Sequence, residues 1–179
     1  MKVNWVLGSE IHPNLIDITE LKKIAPLWGS TSTWKHYKTD NCICSDLKSA
    51  QELIQRAFHA VSTLYVPQDL FVPLGRPNGL KLFDGTFSNN LFDNQDDFIS
   101  LNLASVDCDI VLMLGFDLTP FSSDVTKRDY YVSIAKFIKA SPDTQFVLVD
   151  YNNELSPIFS SDIPNLTLDT FEAVQELLI

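Results

Sequence analysis

Two aliphatic runs, each ending in a glycine and followed by an acid, constrain this chain more than any other feature. Val3-Asn4-Trp5-Val6-Leu7 leads into Gly8-Ser9-Glu10, and Asp109-Ile110-Val111-Leu112-Met113-Leu114 leads into Gly115-Phe116-Asp117. Apolar runs of this length, nearly without alternation, suit strands covered on both faces, as in a parallel sheet sandwiched between helices. In open sheets of that kind, ligands bind beyond the carboxyl ends of the strands, where the strand order reverses. A glycine there lets backbone approach a ligand, and a nearby acid supplies a charge-assisted acceptor.

The rest of the chain alternates strand and helix signals. A helix is predicted from Asp17 or Thr19 to about Leu27, ended by Pro26 and Gly29. Cys42-Ile43-Cys44 reads as the second strand, with Ser45 or Asp46 capping the next helix. That helix carries Leu47, Ala50, Ile54, Ala57, Phe58, Val61 and Leu64 on one face and stops at Pro67. Leu70 to Leu74 reads as the third strand, at an edge because Pro73 cannot donate to a ladder. Gly75 to Asn94 reads as a long loop, with a small hairpin around Asp84-Gly85. A helix from Asn94 or Gln95 to Val106, the fourth strand Asp109–Leu114, and a helix from Ser122 through Ile138 follow. Thr144 to Asp150, then Leu166 to Leu168, make the fifth and sixth strands, and a final helix capped by Asp169 or Thr170 runs to Leu178.

This pattern predicts one domain over residues 1–179: a three-layer, doubly wound, mostly parallel six-stranded α/β sheet, Rossmann-like, in the order 3-2-1-4-5-6. The flavodoxin-like order 2-1-3-4-5 is the competitor.

In the preferred order the first and fourth strands are neighbours, and Gly8, Ser9, Glu10, Gly115, Phe116 and Asp117 meet at one crevice. Glu10 and Asp117 can share a proton, accept from ribose hydroxyls, or hold Mg²⁺ through water. His12 stands near Glu10 as a candidate general base. Asp46 follows the second strand, where dinucleotide-binding folds place a ribose-reading acid, although a helix cap explains it as well. Asp150 closes the fifth strand with no cap to make. Arg76, in Gly75-Arg76-Pro77-Asn78-Gly79, is a candidate clamp for a carboxylate or phosphate.

Other signals exclude functions. No Gly-x-Gly-x-x-Gly follows the first strand and no Walker sequence occurs, which argues against a nicotinamide-dependent dehydrogenase. No serine sits in a nucleophile elbow. A net charge of −10 and a pI near 4.5 argue against a nucleic-acid footprint. The segment Trp28, Trp34, Lys35, His36, Tyr37, Lys38 has the composition of a base-stacking platform, but edge-covering aromatics explain it better. No apolar run is long enough for a membrane span. With Cys42, Cys44 and Cys108 in no metal-binding spacing and no leader-like N-terminus, the expected location is the cytoplasm.

The stretch Val106-Asp107-Cys108-Asp109-Ile110-Val111-Leu112-Met113-Leu114-Gly115, followed by a helix and Gln145-Phe146-Val147-Leu148-Val149-Asp150, resembles the closing half of sirtuin-type and related nucleotide-binding Rossmann-like domains. The resemblance covers roughly the last third of the chain. The sirtuin glycine-alanine-glycine loop and zinc cysteines are missing, so deacylase activity does not carry over. What it implies is a nucleotide-like ligand at the Gly8/Gly115 crevice.

The expected function is binding of a nucleotide, nucleoside or phosphorylated sugar at that crevice, with a transferase or hydrolase step open. The alternative is a non-enzymatic assembly or accessory protein with a degenerate α/β site. A small-molecule partner is expected, and a homo-oligomer is left open.

Overall fold

In the computed structural model, residues 1–9, 11, 17–56, 62–84, 95–116, 124–150 and 163–178 are described. They form a single sheet of eight strands, all parallel, in the order β5-β4-β3-β2-β1-β6-β7-β8. The strands are β1 Val3–Leu7, β2 Leu27–Ser30, β3 Asn41–Ile43, β4 Thr63–Pro67, β5 Lys81–Phe83, β6 Ile110–Leu114, β7 Gln145–Asp150 and β8 Leu166–Thr170. The helices are α1 Ile18–Ile24, α2 Thr31–Tyr37, α3 Leu47–Gln55, α4 Gln95–Ser105, α5 Val125–Lys139 and α6 Phe171–Leu178.

Alternation along the strands sorts the core into two layers. Trp5 and Leu7 of β1 point to the face holding Leu21 of α1, Tyr37 of α2 and Val174 of α6. Val6 points the other way, with Val111, Met113, Phe146 and Leu148, onto Leu101 and Ala104 of α4 and Tyr130, Ile134 and Ile138 of α5. Toward the β5 edge, Cys42 and Cys44 pack with Trp34, Ala50 and Leu53, while Ile43 and Phe83 meet Ile99 of α4. From β1 the chain walks outward to β5. It then returns through α4, which packs across β1, β2, β3 and β6, and continues outward on the other side. The order therefore reverses between β1 and β6, which pair from Val3↔Ile110 to Leu7↔Leu114.

The sheet differs from the six-stranded 3-2-1-4-5-6 expectation, and from the flavodoxin-like order, in identifiable places. The predicted first, fourth, fifth and sixth strands are β1, β6, β7 and β8, adjacent in that sequence. Leu27–Ser30 is a strand, β2, inserted between β1 and the predicted second strand. Pro26 does not interrupt it because it stands at the entrance, where its carbonyl accepts from the Trp5 N–H at 2.9 Å. The α3 helix ends at Gln55, and Thr63-Leu64-Tyr65-Val66, rich in β-branched and aromatic residues, is β4 rather than the helix tail.

The predicted third strand is not one. Gln68–Leu70 is a 3₁₀ turn, continued by Leu74 N–H to Leu70 C=O and Arg76 N–H to Phe71 C=O, and closed by Gly75 in the left-handed region at φ 79°. Among the described residues the edge is β5, which pairs parallel with β4; the hairpin expected around Asp84-Gly85 extends outside the described residues. Among the described residues, no helix is long and apolar enough to cross a membrane.

Candidate functional site

The reversal brings Gly8 and Gly115 into direct contact. The Gly8 N–H donates to Leu114 C=O at 2.8 Å, and a Cβ on Gly8 would lie 2.3 Å from the Gly115 carbonyl oxygen. Gly115 is in the left-handed region at φ 75°, and a Cβ there would lie 2.7 Å from Ile11 Cβ. Phe116 is 4% exposed and belongs to the core layer under α4 and α5. Both glycines are thus required by the close approach of the chain to itself.

Around this junction the carboxyl ends of β1, β2 and β3 carry hydroxyls, and the first turn of α4 reaches all three. The Ser9 N–H donates to Asp97 Oδ2 at 2.7 Å. Ser30, the last residue of β2, is close enough to Asp97 for its hydroxyl to favour the ionised carboxyl. Beyond β3, Ser45 donates to Asp96 from its hydroxyl at 2.5 Å and from its N–H at 3.4 Å. The Ser30 hydroxyl lies 2.7 Å from Ser32 Oγ and 3.1 Å from Thr33 Oγ1, and Thr33 donates to Leu7 C=O at 3.4 Å. Of these groups Ser9 and Ser32 are exposed and Ser45 is half-buried.

Electrostatics at this edge are dominated by burial. Asp97 is 2% exposed, and its carboxyl is pushed up to about 6 by desolvation, opposed by the nearby Ser30 hydroxyl and by Ser9 and reinforced by the Asp96 charge. Burial likewise raises Asp96, opposed by Ser45 and reinforced by Asp46. Asp46 itself is the N-cap of α3: its Oδ2 accepts from the Ser49 N–H at 2.7 Å, which lowers its pKa.

The other predicted site residues are dispersed. Asp150 ends β7, two strands from β1 and 8% exposed. Arg76 is in the connection from β4 to β5, exposed, at φ 55°. The β5 strand is four positions from β1, about 19 Å at the usual strand spacing, so Arg76 is not brought to the glycine junction. Glu10, His12 and Asp117 lie outside the described residues. Trp34 and Tyr37 are buried in the core, with Lys38 Nζ 3.8 Å above the Trp34 ring, so these two rings are not free to stack on bases. Burial also pushes the Cys42 and Cys44 thiols up, away from nucleophilic thiolate. Among the described residues, no cluster of His, Cys, Asp and Glu has the geometry to hold a metal ion.

Sequence reasoning missed Asp96 and Asp97, and read Ser45 only as a candidate helix cap. One signal was present: Asp97, Ser100, Leu101 and Ala104 stand at i, i+3, i+4 and i+7, which places an acid on the buried stripe of α4.

No known protein family, curated protein or solved structure matches the chain.

Proposed function

We propose that the chain binds a small hydroxyl-bearing ligand, a nucleotide, nucleoside or phosphorylated sugar, over the carboxyl ends of β1, β2 and β6. The observation that carries this reading is the β1/β6 pairing at the order reversal, the position where open parallel sheets recruit ligands. The exposed Ser9 and Ser32 beside it provide donors and acceptors suited to sugar hydroxyls. A transferase or hydrolase step is the chemical extension of this reading, and Mg²⁺ is its candidate cofactor.

A thermal-melt panel of nucleotides, nucleosides and sugar phosphates, with and without Mg²⁺, tests it. A true ligand at one hundred times its dissociation constant adds about 2.7 kcal/mol of stability. A flat response across the panel refutes the reading.

A second reading, a non-enzymatic assembly or accessory protein, is favoured by the sealing of Gly8 and Gly115 against each other and against Ile11. It accounts for both glycines without a ligand. Light scattering separates the two: a stable oligomer indifferent to every compound supports assembly.

A further inference from the structure

The donors at the carboxyl end of the sheet are already engaged by the chain itself. The Ser9 N–H, one residue past the Gly8–Gly115 junction, is held by Asp97 Oδ2 at 2.7 Å. Beyond β3, the Ser45 hydroxyl and N–H both donate to Asp96, at 2.5 and 3.4 Å. The Ser30 hydroxyl meets Ser32 at 2.7 Å and Thr33 at 3.1 Å, and Thr33 donates to the Leu7 carbonyl. In sheets that bind phosphate, amides and hydroxyls at such tips turn toward the anion, together with a helix N-terminus. Here the first turn of α4 brings two carboxylates to them instead.

Those carboxylates have no counterion. Every lysine and arginine of the chain falls within the described residues, and none forms an ion pair with Asp96 or Asp97. Arg76, the expected clamp, stands in the β4–β5 connection, far from β1. The positive end of the α4 dipole, equivalent to about half a charge, cannot neutralise two carboxylates. Asp97 is 2% exposed, so little water screens its charge. What the rim leaves open to a ligand is neutral: the exposed Ser9 and Ser32.

We infer that Asp96 and Asp97 make this crevice selective for an unphosphorylated ligand, a nucleoside or free sugar, and that they reject its phosphorylated counterpart. This selectivity presupposes the ligand reading above and narrows it. A sugar hydroxyl is neutral and both donates and accepts, which matches Ser9 and Ser32. A phosphate at the same place meets fixed negative charge, and the tip donors that would compensate it are taken. Like charge set against a wrong partner is an effective rejecting device. Neither acid needs to touch the ligand: each acts from behind a strand tip, Asp97 through Ser9 and Asp96 through Ser45.

Calorimetric titration of the full chain tests this, with ribonucleosides and ribose set against nucleoside 5′-monophosphates and ribose 5-phosphate. It is run at about pH 8, where the Asp97 carboxyl, pushed up to about 6 by burial, is ionised. EDTA keeps divalent cations from bridging acid and phosphate. Each phosphorylated compound is expected to bind at least about tenfold more weakly than its parent. Asp96→Asn and Asp97→Asn keep an oxygen for the Ser45 and Ser9 donors while removing the charge, so they should narrow that gap, the double variant most. A purely structural role would weaken both forms together and leave their ratio unchanged. Phosphorylated compounds that bind as tightly as their parents overturn the selectivity and leave the ligand reading standing. A gap that is unaltered in the folded Asn variants overturns it too. Silence from every compound removes the ligand reading, and the selectivity with it. The wild-type comparison decides the first point even where a variant does not fold.

Discussion

The two halves of the sheet, divided at β1, are built differently. On the β6–β8 side the strands are five or six residues long. Phe146, Leu148 and Leu166 pack there with Ile134 and Ile138 of α5 into one apolar layer. On the β2–β5 side the strands are three to five residues long. There Ser30 ends β2 among the Ser32 and Thr33 hydroxyls, and Ser45 beyond β3 is held by Asp96 of α4. Burial of apolar surface carries the first half, while the second keeps polar groups at its rim and depends on them for alignment. Apolar packing dominates on one side of β1, and polar contacts line the rim on the other.

The sharpest way to break this contrast is to remove the same side chain from both halves. Leu148 of β7 and Leu64 of β4 are each 1% exposed. Within the range of about 2–5 kcal/mol for such truncations, Leu148→Ala is expected near 4 and Leu64→Ala near 2, because the layer around Leu64 is smaller and collapses more readily. Equal costs in urea unfolding would erase the distinction.

Next in size is the pH dependence that Asp97 of α4 gives the fold. The Asp97 pKa is raised in the folded state, so the fold binds the proton more tightly than the unfolded chain does. Stability is therefore highest below pH 4 for this group and is lost as pH rises through about 6. At 1.36 kcal/mol per pH unit the loss is about 3 kcal/mol, and Asp97→Asn should flatten it. Asp46 has the opposite sign: its lowered pKa gives stability above the usual carboxylate range that disappears as pH falls.

Asn165 holds the long half at the amino end of β8. Its Nδ2 donates to the carbonyls of Ile138, Ser141 and Thr144 at 2.8, 2.9 and 3.1 Å. Asn165→Ala should cost about 2 kcal/mol in chemical denaturation, since part-buried carbonyls lose their donor. The smallest effect is Asp46→Ala, about 1 kcal/mol for one helix cap, read from the urea midpoint.

The long half was also the legible half. Ile110–Leu114 and Gln145–Asp150 are apolar runs that suit a buried strand and little else. On the short side, Leu27-Trp28-Gly29-Ser30 is too brief for periodicity to register, and Leu64 happens to continue the helical spacing of α3. Gly8 and Gly115 could be paired in advance because the first and last halves of a doubly wound sheet meet at a reversal. Asp96 and Asp97 could not be placed, because their partners depend on where α4 crosses the sheet, and that is a tertiary matter.

The return of α4 has a kinetic corollary. Ser9 is bonded to Asp97, Ser45 to Asp96, Asn4 to the Ala104 carbonyl at 2.6 Å, and β1 to β6 across about a hundred residues of chain. Closing such distant contacts costs loop entropy before any reward is collected, so topologies of this kind assemble slowly. During synthesis, the first five strands emerge from the ribosome before the helix that aligns their tips, and the nascent chain must wait with an unguarded sheet face and an unpaired β1 edge until α4 and β6 follow.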